Sequence, residues 1–289
     1  MKNKLQILIT LIFLALVGWW FSFQSVVTQQ GTQVQWFNSI YGVMALIGAV
    51  IGFIAAQKWG GFKTVLGKSL MFFSLGLLAQ EAGQLIYAYY NYVSKIQIPY
   101  PSYGDIAYFG SVLLYIIAAI YLTQVSGAKF ALKQKRYQLT AVLVPVVILG
   151  ISYTVFLRHH QYDTSHPLTV FLDFGYPMGQ AIYISLAVTA YLLSRKQLGG
   201  VVKNGILFII VALVIQYIAD FTFIFQSSRG TWLAGKSNDL MYLTAYFAMA
   251  TAMVKFISIY SHLKDKTKNL KAENDNSSTA KTVEAEAKA

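Results

Sequence analysis

The sequence predicts an all-α, polytopic membrane protein, and three observations predict it. Of its residues 56% are hydrophobic and 12% charged, where a soluble domain carries roughly 45–50% and about 25%. The apolar residues gather in unbroken runs of about 20, and about 20 helical residues at ~1.5 Å each cross the ~30 Å hydrocarbon layer. The basic residues fall between alternate runs, the pattern that the positive-inside rule gives cytoplasmic loops. Eight runs, at about 5–24, 36–57, 69–91, 104–124, 138–157, 168–193, 204–226 and 239–260, read as eight transmembrane helices with both termini in the cytoplasm.

The first run follows Lys2 and Lys4 but has no small-residue cleavage site near Phe21-Ser22-Phe23-Gln24, so it reads as a span and not as a signal peptide. After the second run come Lys58, Lys63 and Lys68. After the fourth come Lys129, Lys133, Lys135 and Arg136, and after the sixth Arg195, Lys196 and Lys203. The opposite side holds only Lys95, Arg158, Arg229 and Lys236, with Trp19, Trp20, Trp36, Trp232 and Tyr89, Tyr90, Tyr92, Tyr100 and Tyr103 near its boundary, where amphipathic rings prefer the headgroup level. This placement turns the net charge of +12 into a topology signal and argues against nucleic-acid binding. The chain has no Cys, which excludes disulfides, thiol catalysis and thiolate-held metals. Residues 1–260 form the predicted membrane domain. Residues 261–289, polar and rich in Lys, Ala, Asn and Ser, predict a disordered cytoplasmic tail, with Lys264, Lys266, Lys268 and Lys271 against anionic membrane lipid.

The even-numbered runs share an opening. Asn38-Ser-Ile-Tyr41, Asp105-Ile-Ala-Tyr108, Asp173-Phe-Gly-Tyr176 and Asp239-Leu-Met-Tyr242 each place an acid or amide three residues before a tyrosine. They recur about every 67 residues, which predicts four tandem helical hairpins of like orientation, related about an axis along the membrane normal. In the odd-numbered runs Gln80 with Gln84, and Gln216 with Asp220, are i,i+4 pairs at corresponding places.

Glu81, Asp105, Asp173, Asp220 and Asp239 all fall in the outer halves of the runs. A charge at the centre of a span costs at least ~2.5 kcal/mol on insertion scales, so such residues face a bundle interior or a wet cavity. An outward-facing acidic/tyrosine pocket follows, with an apolar floor. Its expected ligand-binding residues are Glu81, Gln84, Asp105, Tyr108, Asp173, Tyr176, Asp220, Asp239 and Tyr242, with Tyr108, Tyr176 and Tyr242 donating to the carboxylate on their own helix face. Capping is the competing role for Asp105 and Asp239 at helix N-termini, and Ser102-Tyr-Gly-Asp105 reads as a capping box. Gly48-x-x-x-Gly52 predicts close helix packing. His159, His160, Asp163 and His166 offer metal donors, but a loop of this composition reads as solvent-exposed, and neither a metal site nor a cofactor is expected.

At Pro101-Ser102-Tyr-Gly-Asp105-Ile-Ala-Tyr108, Tyr176-Pro177-Met-Gly and Gly235-Lys-Ser-Asn-Asp239-Leu-Met-Tyr242, the chain resembles the multispan N-terminal sensory regions of bacterial diguanylate cyclases and histidine kinases. The likeness covers most of residues 36–260. Gln180 stands where that pattern has an acid after Tyr-Pro. The resemblance implies a bacterial inner-membrane, multi-pass sensory module that binds a small polar or cationic ligand and signals through a cytoplasmic partner. It implies no enzyme, because only residues 261–289 follow the eighth run. No HExxH or Ser/Lys constellation within the runs suggests intramembrane catalysis. A small transporter or channel for a cation, proton or polar solute is the alternative expectation, and it requires a polar path through the inner halves.

Overall fold

Helices form where the apolar runs lie. A computed structural model describes residues 2–24, 31–96, 98–126, 135–154, 158, 165–197 and 202–286. Among them the α-helices are α1 (Lys2–Phe23), α2 (Thr32–Ile40), α3 (Val43–Lys58), α4 (Val65–Tyr89), α5 (Tyr103–Val125), α6 (Lys135–Ser152), α7 (Pro167–Gln197), α8 (Lys203–Ser228) and α9 (Ser237–Glu286). No strand occurs among the described residues. Local signals set several ends. Thr64 accepts from the Gly67 amide at the start of α4, and Ser102 with Asp105 forms a capping box on α5. The turn at Tyr41 and Gly42 separates α2 from α3.

Six helices close a ring in the order α3, α4, α5, α7, α8, α9 and back to α3, while α1 packs on α9 and α6 on α7. Side-chain contacts give the directions. Ser69 Oγ donates to the Ala118 carbonyl, Gln80 Nε2 to Ser111 Oγ, and Tyr108 Oη to Gln84 Oε1, so α4 and α5 are antiparallel. Tyr41 stacks toward Tyr246, and a Cβ on Gly48 would lie 3.4 Å from that of Ala250, so α3 and α9 run parallel. Phe109 meets Phe171 and Tyr176, and Tyr115 meets Tyr183, so α5 and α7 are parallel too. A parallel neighbour needs a return crossing, and α6 lies within that connection.

The ring is close-packed by small residues. Ala45, Ala49, Ala55 and Ala56 of α3 and Ala250 and Ala252 of α9 are fully buried, and Gly48 leaves room for Leu77 as well as Ala250. Outward stripes at helical spacing are apolar and exposed: Leu46, Val50 and Ile54 on α3, Leu113, Ile117 and Ile120 on α5, and Leu207, Val211 and Ile218 on α8. An apolar surface this extensive belongs in lipid. Lys58 lies over Tyr260, Lys68 over Tyr121 and Lys203 over Tyr191, amphipathic pairs suited to one membrane boundary.

Among the described residues six stretches are long and apolar enough to cross a membrane: Lys4–Phe23, Thr32–Lys58, Val65–Ser94, Tyr103–Val125, Lys203–Ser227 and Ser237–Leu270. The chain is therefore a multi-pass membrane protein. The run expected at 168–193 is helical where described but less apolar, and the run expected at 138–157 is helical over its described residues up to Ser152. Among the described residues Val142–Ile151 of α6 forms an apolar helix, and α7 carries Asp173, Gln180 and Ser185 among its buried residues. Residues 155–157, Lys129, Lys133, His159, His160 and Asp163 lie outside the described residues. A further difference is the tail. Disorder was expected after residue 260, yet α9 continues to Glu286. Extending an existing helix avoids the unfavourable nucleation step, and the Ala, Lys and Glu of this segment have high helix propensity.

Candidate functional site

The polar residues of the ring gather at one end, opposite Lys58, Lys68, Lys203 and Lys264. There a cavity of about 570 Å³, its open mouth included, lies between the helices. Its wall draws on every ring helix except α3, for which Asn38 of α2 and Tyr41 of the adjoining turn stand in: Gln84 and Tyr87 come from α4, Asp105 and Tyr108 from α5, Tyr176 from α7, Asp220, Phe223 and Ile224 from α8, and Asn238, Asp239, Tyr242 and Tyr246 from α9. Tyr100 and Trp232 reach in from the connections before α5 and α9. None of these lining residues is basic.

Of the expected site residues, Gln84, Asp105, Tyr108, Tyr176, Asp220, Asp239 and Tyr242 line this one cavity, and Glu81 and Asp173 do not. Both of the latter are buried within the bundle. Glu81 and Gln84 of α4 both face Gly42 at the start of α3, where any Cβ on residue 42 would collide with the Glu81 carboxylate. Its Oε2 is buried without a hydrogen-bond partner. Asp173 lies behind the wall and accepts from Tyr100 Oη at 2.7 Å. Burial, and then the neighbouring Asp173 carboxylate, push the Tyr100 phenol above its ordinary range, which keeps it a donor.

The tyrosines do not bond to the acid on their own helix, as expected from the motif; they bond across helices. Tyr242 donates to Asp220 at 2.6 Å, Tyr176 to Asp105 at 3.1 Å and Tyr108 to Gln84 at 2.9 Å. The reason is reach. On one helix face the phenol hydroxyl extends well past the short carboxylate three residues earlier, while the aspartates at helix starts turn back to amides. Asp105 accepts from the Ser102 amide at 2.7 Å and Asp239 from the Gly235 amide at 2.6 Å. Asp105 therefore caps with one oxygen and faces Tyr176 with the other. Asp220 also accepts from Gln180 and, at 3.3 Å, from Gln216. Gln180, which departs from the pattern of the resembled sensory regions, is the α7 partner of Asp220.

Beneath the cavity Tyr246 donates to Gln80 at 2.9 Å and Gln80 to Ser111 at 2.7 Å. Gln84 Nε2 donates to the Asn38 carbonyl near the α2–α3 break. Below this layer the interior is closed by Leu70, Phe73, Leu77, Leu122, Ile206, Met253 and Phe256, none more than 1% exposed. Among the buried hydroxyls of that half, Ser69, Ser74, Thr123 and Ser126 donate to backbone carbonyls, and Thr251 accepts from Gln6 Nε2 of α1 at 3.3 Å.

Sequence reasoning left out much of the aromatic wall. The sequence places Tyr100 in the interfacial belt with Trp232, and Tyr246, one turn beyond Tyr242 on the same face, has Leu243 and no acid three residues before it. Tyr41 belonged to the repeated motif, but its unit has Asn38 in place of the acid. No family model, curated protein or solved structure matches this chain.

Proposed function

We propose that the chain is a sensor-like inner-membrane module of eight spans, arranged as four hairpins with both termini in the cytoplasm. It binds a small polar or cationic ligand from the outer side and passes a change in helix packing to a cytoplasmic signalling partner. The observation that carries this reading is the continuity of α9. Its first turns supply Asn238, Asp239, Tyr242 and Tyr246 to the cavity, and the same helix runs to Glu286. Its 50 residues at ~1.5 Å each far exceed the ~30 Å hydrocarbon core, so a shift at the cavity is delivered beyond the membrane. The lysine-bearing opposite end of the ring supports the orientation through the positive-inside rule. Contacts of α4 with α5, α6 with α7, and α8 with α9 support the hairpin reading. Transport would require polar groups through the inner half, where the closed apolar layer stands instead.

The test uses the cysteine-free chain, spin-labelled at Gln57→Cys and Ser261→Cys and reconstituted in lipid nanodiscs. Neutralising the cavity with Asp220→Asn and Asp239→Asn mimics a bound cation. The account expects the distance distribution between the labels to move by about 1–2 Å or more, the scale of helix shifts in switching proteins. An unchanged distribution overturns it.

A further inference from the structure

The lining of the cavity specifies a ligand class more narrowly than its acidity does. Nine of its sixteen residues are aromatic: seven tyrosines, Phe223 and Trp232. Three more are aspartates, from α5, α8 and α9, and all their hydrogen-bond donors are neutral: Ser102, Tyr176, Tyr242, the Gln180 and Gln216 amides, and the Gly235 backbone. Carboxylates so placed are stabilised by a cation that enters the cavity, and aromatic faces favour a poorly hydrated cation over a strongly hydrated one. Among the described residues no three acidic or imidazole groups converge closely enough to hold a metal ion.

Asn238 adds an independent constraint. It is 1% exposed and lines the cavity. Its Nδ2 donates to the Ala219 carbonyl at 2.7 Å, and because a carbonyl only accepts, the amide orientation is settled. Its Oδ1 is left buried with no partner. A buried acceptor without a donor is unfavourable, and a ligand N–H removes that penalty.

We propose that the cavity binds a protonated organic amine: the charge lies among the rings and the carboxylates of Asp220 and Asp239, and an N–H is donated to Asn238 Oδ1. A quaternary ammonium satisfies the rings but not Asn238, so primary amines bind more tightly than their fully methylated counterparts. This inference rests on the outward cavity proposed above and names its ligand class.

The test is cysteine modification in nanodiscs. The full chain lacks Cys, so Ile224→Cys, at the one aliphatic position of the lining, is a single reporter, and Phe223→Cys is the second should the first not fold. Three methanethiosulfonates of similar size are applied, one carrying trimethylammonium, one sulfonate and one neutral, each rate divided by that with a free thiol. The expected result is at least tenfold faster modification by the cationic reagent than by the anionic one, a preference lost in Asp220→Asn/Asp239→Asn. Protection by n-butylammonium is expected to exceed that by butyltrimethylammonium, and Asn238→Leu is expected to erase the difference. Equal protection by n-butanol, or no charge preference, overturns the amine assignment and leaves the cavity standing. Protection that is equal for the two ammonium ions overturns the role of Asn238 and with it the protonated-amine class. Failure of all three reagents to modify either reporter overturns the open cavity, and both proposals fall together.

Discussion

Tyr242→Phe removes the 2.6 Å hydrogen bond between α9 and Asp220 of α8 without changing the ring. Hydrogen bonds to charged groups contribute about 1.5–3 kcal/mol and those between neutral groups about 0.5–1.5 kcal/mol. Asp220 also receives Gln180 and Gln216, so Asp220→Asn keeps the shape but leaves one acceptor oxygen for three donors. In that background Tyr242 has less to lose, and the double-mutant cycle is expected to give a coupling of ~1 kcal/mol, within the range for residues in direct contact. The assay is thermal unfolding of purified chain in one detergent at one scan rate, followed by tryptophan fluorescence. At ~2–4 °C per kcal/mol for a protein of comparable size, the single Tyr242→Phe variant melts on the order of 5 °C below the parent. Effects that add within about 0.3–0.5 kcal/mol would refute the contact and, with it, the cross-helix pairing of tyrosine and carboxylate.

Glu81→Gln is expected to raise the melting temperature, because the buried Oε2 has no partner and an amide lowers the burial penalty; a lower melting temperature would mean that the carboxylate is satisfied. Ser102→Ala removes the N-cap of α5 and one partner of Asp105, with an expected loss of about 0.5–2 kcal/mol, read in the same melt. Gly83→Val drives a side chain into Tyr108, whose Cζ lies 2.7 Å from the position of a Cβ there; overpacking of about 1–3 kcal/mol follows, and the Gln84–Tyr108 hydrogen bond is lost with it. An unchanged melt for this variant would contradict the close α4–α5 approach.

Hydropathy and charge placement made the helices legible, and the position of Asp105, Asp220 and Asp239 toward the lysine-poor ends of their runs made a polar cavity at one end legible. What periodicity cannot supply is which helix lies next to which. The i,i+3 spacing of Asp239 and Tyr242 puts both on one face, but only the packing of α8 against α9 shows that Tyr242 ends at Asp220. Glu81 and Asp173 carried the same sequence signal as Asp220, yet both lie outside the cavity lining, Glu81 against Gly42 and Asp173 against Tyr100, because a buried carboxylate in a span is equally consistent with either place. Tyr100 and Trp232 lie on connecting segments, where no helical period links them to a face. The helical continuation beyond residue 260 was hidden by a composition poor in apolar residues, which measures packing and not the propensity to extend an existing helix.

The central claim is that helices from opposite ends of the chain close one ring around an acidic, aromatic cavity, and the α3–α9 contact closes it. A Cβ on Gly48 would lie 3.4 Å from the Ala250 Cβ, close to the ~3.5–4.5 Å of a disulfide. In the cysteine-free chain, mild oxidation in membranes is predicted to cross-link the Gly48→Cys/Ala250→Cys pair, and not a Val50→Cys/Ala250→Cys control whose first position faces outward. Cross-linking of the control alone, or of neither pair while both variants fold, would contradict the ring.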